Sequence, residues 1–175
     1  MLRLETMPVQ GLYVEAVSEN KFVTAQSAVS MIGNKEHYRR LERMYMAAPI
    51  NEFFKPTIEI GKGTAEIKVN VDSRFFHAAQ AAHGAVYFKS LDDAAFFAVM
   101  SLVEDRFVLT SNFNLYMLAP ISAGVIRAIG KVVSGGGSSF LAESVLYNDQ
   151  EVEIARGSGM FVRSKMRLDP EMGYR

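Results

Sequence analysis

The sequence predicts an α+β protein in which one curved antiparallel β-sheet wraps around a long central α-helix. Three observations lead there. Residues 84–103 are apolar on almost every side of a helix, with Val86, Leu91, Ala94, Phe97, Ala98 and Leu102 spread around it. A helix without a polar face in a chain of this size has to be enclosed by other elements. Downstream, four strand-like segments are separated by short turns such as Gly135-Gly136-Gly137 and Asn148-Asp149, which join antiparallel neighbours. Upstream, Thr57 to Val71 alternates through Ile58, Ile60, Ala65, Ile67 and Val69 and breaks at Gly61-Lys62-Gly63.

Each element can be justified in chain order. Residues 1–36 are mixed in composition; Leu12, Val14, Ala16 and Val17 fit a short strand or helix, and Gly33-Asn34 a turn. From His37 to Ala48, Tyr38, Leu41, Met44/Tyr45 and Ala48 fall at helical spacing opposite Arg39, Arg40, Glu42 and Arg43. Pro49 ends that helix, because its ring clashes with the preceding turn. Ile50, Phe53 and Phe54 then read as an apolar plug on the core. Thr57 to Val71 is two strands around a glycine turn, or one strand with a bulge. Residues 72–82 are loop and Gly84 to Val103 is the central helix. Phe107 to Leu118 places Phe107, Leu109, Ser111, Phe113, Leu115 and Met117 on one face, with Thr110, Asn112, Asn114 and Tyr116 on the other. Val125–Val133, Ser139–Tyr147 and Val152–Val162 follow, and the four strands form a meander. The expected division is an N-terminal extension with one helix (1–49), the wrapped-sheet domain (50–164) and a C-terminal tail (165–175).

Composition removes several classes of function. In 175 residues, 19 Lys+Arg balance 19 Asp+Glu at a pI near 6.8, which carries no electrostatic footprint for nucleic acid. With no Cys and 3 His, disulfides, thiol nucleophiles and thiolate metal sites are excluded, and a three-His metal site would consume every histidine. No metal and no cofactor are expected. The longest nearly apolar run, Ala94 to Val103, is about half the ~20 residues a membrane span needs. The first six residues carry an early acid and no apolar signal core. The expectation is a cytoplasmic protein without membrane or nucleic-acid partners.

Chemistry concentrates at the start of the central helix, which reads His83-Gly84-Ala85 and, nine residues after His83, Asp92-Asp93. Gly84 lets a ligand approach the backbone closely, and free N–H groups at a helix start can polarise a carbonyl and stabilise an oxyanion. A carboxylate on so apolar a helix is costly unless it is used or paired. Desolvation would raise the pKa of Asp92 and make it a better base or an acylatable nucleophile. Asp93 is the competing acid, although its spacing of four from Lys89 favours an ion pair. Gly135-Gly136-Gly137 lacks the Gly-Lys-Ser/Thr signature of a phosphate loop, and Gly157-Ser158-Gly159 reads as a bulge or close packing. Arg127 and Lys131 share a strand face.

These residues resemble the hotdog-fold acyl-CoA thioesterases of the phenylacetic-acid-degradation (PaaI-like) type. The resemblance spans residues 50–163: strand, His-Gly turn, helix with its acid, then four strands, with Tyr116-Met-Leu-Ala-Pro120 similar to the family's Tyr-x-x-Pro strand ending. It implies the hotdog fold and hydrolysis of an acyl thioester, carried by CoA or by an acyl-carrier protein, to carboxylic acid and thiol. By resemblance, Asp92 attacks the thioester carbon or activates water while the Gly84 N–H holds the oxyanion. Ala85 replaces the family's second glycine and keeps its amide. His77 stands where relatives place an Asn or Gln that orients water or carbonyl, and Thr110 where a Ser or Thr bonds the acid. His83 fixes the turn beside the substrate, with Ala85 and Asp93 as further substrate contacts. Relatives are homodimers or dimers of dimers with the site at the interface. The alternatives are a hotdog 3-hydroxyacyl dehydratase or enoyl hydratase using His77 and Asp92, and a non-catalytic acyl-CoA-binding protein.

Overall fold

A computed structural model describes residues 34–175; the expectations for residues 12–17 and for Gly33 lie outside the described residues. Helix α1 (Lys35–Ala47) starts at Asn34, whose side-chain oxygen accepts the His37 N–H at 3.1 Å. It buries His37, Tyr38, Leu41, Met44 and Tyr45, a stripe at spacings of three and four. Ala48 is extended ahead of Pro49, which caps a second short helix, α2 (Ile50–Phe54). The expected plug forms only in part. Phe53 and Phe54 meet the ring of Phe75 at 5.2 and 5.1 Å, whereas Ile50 is exposed. The buried residue of this turn is Asn51, whose side-chain amide donates to the Tyr45 carbonyl at 2.6 Å.

Strands β1 (Thr57–Gly61) and β2 (Thr64–Asn70) form a hairpin. Helix α2 is thus followed by sheet, then by α3 (Gly84–Met100), β3 (Arg106–Met117), β4 (Val125–Gly136), β5 (Ser139–Tyr147) and β6 (Glu153–Arg167). All six strands join one antiparallel sheet in the order β1-β2-β4-β5-β6-β3. Strands β4, β5 and β6 make the expected meander, but β3 does not adjoin β4. It pairs with β6 at the far edge, because α3 carries the chain from β2 across the sheet face before β3 begins. The connection after Met117 then returns it to a place beside β2. Short turns dictate adjacency; a helix crossover does not.

The facing of β3 also differs from simple alternation. A bulge at Ser111, where pairing jumps from Thr110–Phe161 to Asn112–Met160, reverses the parity of the strand. Val108 and Thr110 therefore face the helix before the bulge, and Phe113 and Leu115 after it, while Leu109 is exposed. Opposite Phe113, β6 carries Gly157 and Gly159. A Cβ on Gly157 would stand 2.4 Å from the Phe113 ring, so close packing is the reason for these glycines.

The helix lies directly on the sheet. A Cβ on Gly130 of β4 would stand 2.1 Å from the Ala94 carbonyl oxygen, and Ala94, Ala95, Ala98, Ala128 and Ala142 are all fully buried around that contact. Ser144 of β5 donates to the Leu91 carbonyl at 2.8 Å. At the other end the Gly63 N–H donates to Ser101 Oγ, which itself donates to the Ala98 carbonyl, each at 2.7 Å. The helix proper stops at Met100, short of Val103, because Ser101 caps it there.

His37 supplies the remaining cap. Its Nε2 lies 2.8 Å from the Met100 carbonyl, which can only accept, so Nε2 carries the proton and Nδ1 accepts from the Tyr174 hydroxyl at 2.7 Å. Residues 165–167 continue β6, Pro170–Met172 form a 3-10 turn, and Gly173 packs on Met44 and Ala47. No helix among the described residues is long and apolar enough to cross a membrane. Gly130→Ala is expected to lower stability by about 2–3 kcal/mol, because the added methyl has only helix backbone to displace. The drop in urea midpoint measures it.

Candidate active site

The chain turns into α3 with His83 extended, its Nδ1 accepting the Ala85 N–H at 3.0 Å and its carbonyl accepting the Val86 N–H at 2.9 Å. His83 is therefore the N-cap, and the Ala85 amide is occupied. Among the described residues the Gly84 N–H has no acceptor. It borders a cleft of about 290 Å³ lined by His77, Tyr87, Met117, Leu118 and Pro120. A Cβ on Gly84 would meet Met117 Sδ at 3.4 Å, an ordinary contact. Packing among the described residues thus leaves room for alanine at position 84. His77 is exposed, and its Nδ1 accepts the Ala79 N–H at 3.1 Å in a turn closed by Gln80 at φ 61. Tyr87 holds the far wall by donating to the Ala119 carbonyl at 3.0 Å.

Asp92 lies eight residues along the same helix, about 12 Å up its axis. It opens into a different cleft, of about 820 Å³. Phe96 and Phe97 of α3, Phe107, Leu109 and Thr110 of β3, Met44 and Tyr45 of α1, and Met172 near the C-terminus line it. Thr110 Oγ donates to the Asp92 carboxylate, 3.1 Å from one oxygen and 3.4 Å from the other. Burial pushes the Asp92 pKa up to about 6; the neighbouring charge of Asp93 adds to this, and the Thr110 hydroxyl and Lys89 oppose it.

Asp93 is otherwise engaged. Its Oδ2 accepts from the Tyr45 hydroxyl at 2.9 Å and pairs with the Lys89 ammonium. That ammonium also sits over the rings of Tyr45 and Phe54, 5.0 and 5.3 Å from their centroids. Burial, then the Asp93 charge, drives the Tyr45 phenol far above its usual range, so Tyr45 is a permanent donor here.

The structure brings Asp92 and Thr110 together, with Asp93 beside them in an ion pair. It places Gly84 and His77 on the other cleft, at the helix start, with His83 and Ala85 beside Gly84 but outside the cleft lining. His77 and Asp92 form no dyad within one chain. Arg127 is taken by Glu66, at 3.2 Å, and by Glu151. Among the described residues no group of three or more His, Asp or Glu is placed to hold a metal. Sequence reasoning missed Tyr45 and the residues after Asp169 as parts of the Asp92 cleft. Tyr45 shares the spacing of an ordinary core residue, so no pattern distinguishes it.

The sequence model of the thioesterase superfamily matches residues 79–155, which hold the His-Gly turn, both aspartates and Thr110. No curated protein matches significantly. Among solved structures, the PaaI protein of Escherichia coli from the phenylacetic acid degradation operon is similar at a TM-score of 0.71 and 18% identity, covering 77% of this chain and 98% of that one. A thioesterase family protein from Silicibacter pomeroyi is similar at 0.66 and 23% identity, covering 72% and 97%. A thioesterase from Haemophilus influenzae is similar at 0.64 and 15% identity, covering 70% and 87%. A six-stranded antiparallel sheet enclosing one central helix is the hotdog architecture. The chain therefore has the hotdog fold, and its residues 79–155 match the thioesterase superfamily model.

Proposed function

We propose that the protein hydrolyses an acyl thioester, of CoA or of an acyl-carrier protein, to the carboxylic acid and the free thiol. The observation that carries this reading is Asp92: a partly buried carboxylate with its pKa raised toward neutrality, bonded by Thr110 and open to a largely apolar cleft. Such a group serves either as a nucleophile toward the thioester carbon or as a base toward water. The Gly84 N–H, unpaired at the positive end of a helix, suits the carbonyl oxygen as negative charge develops there. His77 and His83 flank that position, where either ring can orient water or the substrate carbonyl. The apolar walls of the Asp92 cleft suit an acyl group.

Within one chain the Gly84 amide and the Asp92 carboxylate are too far apart to address the same carbonyl. A second copy, bringing its Asp92 to this Gly84, would complete the site. Strand β3 supports that reading: it is an edge strand of 12 residues that ends in exposed Tyr116 and Met117 and is followed by exposed Leu118, with Phe88 exposed nearby on α3. The working unit in this reading is a homodimer, alone or doubled into a dimer of dimers.

Incubation with a panel of acyl-CoA esters, read by thiol release, tests the activity; silence across the panel would overturn it. Conversion of enoyl or 3-hydroxyacyl esters without thiol release would instead indicate hydratase or dehydratase chemistry. Asp92→Asn is expected to cut kcat/KM by on the order of 10²–10⁴. The same change is expected to stabilise the fold at pH 8 by roughly 1–2 kcal/mol, after allowance for partial exposure. The sign follows from the raised pKa: the folded state binds the proton more tightly than the unfolded chain, so ionised Asp92 is a cost above pH 6 that disappears as pH falls. Thermal melts between pH 8 and pH 4 check it, with the gain full at pH 8, reduced at pH 5 and nearly gone at pH 4. The pH profile of kcat/KM for the wild type is expected to rise with an inflection near 6.

A further inference from the structure

We propose that Asp93 and Tyr45 form a clamp that holds the Lys89 ammonium away from Asp92, so that the carboxylate on the cleft stays free of an ion pair. Lys89 precedes Asp92 by three residues and Asp93 by four, and both spacings put side chains on one helix face. A lysine so placed would ordinarily pair with either acid. Here its ammonium bonds Asp93 and lies 3.4 Å from the Tyr45 hydroxyl, over the rings of Tyr45 and Phe54. Groups from α1, α2 and α3 thus fix the cation on Asp93, where it acts on Asp92 only through space, without a hydrogen bond to it. Asp92 is left with Thr110, a neutral donor.

The arrangement explains a cost that core packing does not. Tyr45 is 5% exposed, and the side chains of Lys89 and Asp93 keep 17% and 21% of their surface, so three polar groups sit in a mostly apolar wall. An apolar trio of similar volume would join α1 to α3 without that desolvation. What the polar trio adds is control of the charge next to Asp92. An ammonium within about 4–6 Å of a carboxylate lowers its pKa by roughly 1–3 units, which would return Asp92 to a weakly basic carboxylate. The other groups facing the cleft are Glu171 and Arg175 from the C-terminal segment, Tyr45 from α1 and Thr110 from β3. Asp93 and Tyr45 touch no reacting atom in this reading and are positioning residues. Their effect on catalysis rests on Asp92 being the reacting carboxylate; their effect on its proton affinity does not.

The decisive measurement is the pKa of the Asp92 side chain, read by carbon-13 NMR in the unliganded full-length protein, in a double-mutant cycle of Asp93→Asn and Lys89→Gln. The side-chain amide introduced by Asp93→Asn keeps an acceptor for Tyr45, so the helix contact survives. Asp93→Asn removes a neighbouring negative charge, which alone lowers the Asp92 pKa, and it also releases Lys89. The clamp predicts a fall of at least about one unit more with Lys89 present than in the Lys89→Gln background. Asp93→Glu, which restores the charge, is expected to recover most of the shift. Equal falls in both backgrounds would overturn the proposal, because Asp93 would then act only through its own charge. Should the Asp93 variants misfold, Tyr45→Phe gives the same readout: an Asp92 pKa below wild type supports the clamp, and an unchanged value contradicts it. Loss of the clamp effect with thioester hydrolysis intact would sink this inference alone; the clamp effect in a protein that hydrolyses no thioester would sink the proposed activity alone.

Discussion

The fold depends on the seating of one helix against bare backbone. Helix α3 buries ten of its 17 residues, keeps its charges Lys89, Asp92 and Asp93 on one partly open stripe, and approaches β4 so closely that Gly130 has no space for a methyl group. Contact at that distance requires the small residues on both sides, Ala94, Ala95 and Ala98 facing Ala128 and Ala142. It also requires the sheet to curve, since a flat sheet would leave much of the helix in water. The six strands, the β3 bulge and the glycines beneath Phe113 all accommodate that enclosure. Serines at 101 and 144 and His37 then add side-chain hydrogen bonds to the helix carbonyls of Ala98, Leu91 and Met100.

Enclosure also sets the proton affinity of Asp92. An exposed helix would hold Asp92 as an ordinary carboxylate, whereas here burial lifts its proton affinity toward neutrality. The protein carries a destabilising ionised group where a neutral residue would pack better, which is the trade expected of a functional carboxylate. Its surroundings are arranged accordingly. One neighbour, Thr110, offers a hydroxyl without charge, and the nearest cation is occupied by Asp93 and Tyr45.

Much of this was legible in the sequence because it is local. The all-apolar helix, the Pro49 break, the hairpin turns and the Asp92–Thr110 pairing follow from spacing or from the family pattern. The parts that were not legible depend on long-range geometry. Ser111 reads as one step in a clean alternation, and only pairing with β6 reveals it as a bulge that turns Thr110 inward. The place of β3 at the sheet edge is set by a helix crossover, which leaves no mark in the strand itself. Tyr45 and Tyr174 look like a core residue and a tail residue, yet one bonds Asp93 and the other bonds His37 across 137 positions of sequence. Gly84 is the reverse case: the sequence suggests a role for it, and among the described residues no packing contact demands a glycine there.

The central claim is that an acyl thioester is cleaved between the Gly84 amide of one copy and the Asp92 carboxylate of another. Mixing two inactive variants tests it directly. Asp92→Asn retains the amide, and Gly84→Val, which blocks it, retains the carboxylate. After co-refolding at equal ratio, half of the dimers would be mixed, each with one intact site, so thiol release should return to about a quarter of the wild-type rate. A mixture as inactive as either variant alone, with mixed dimers demonstrably formed, would contradict a site shared between copies.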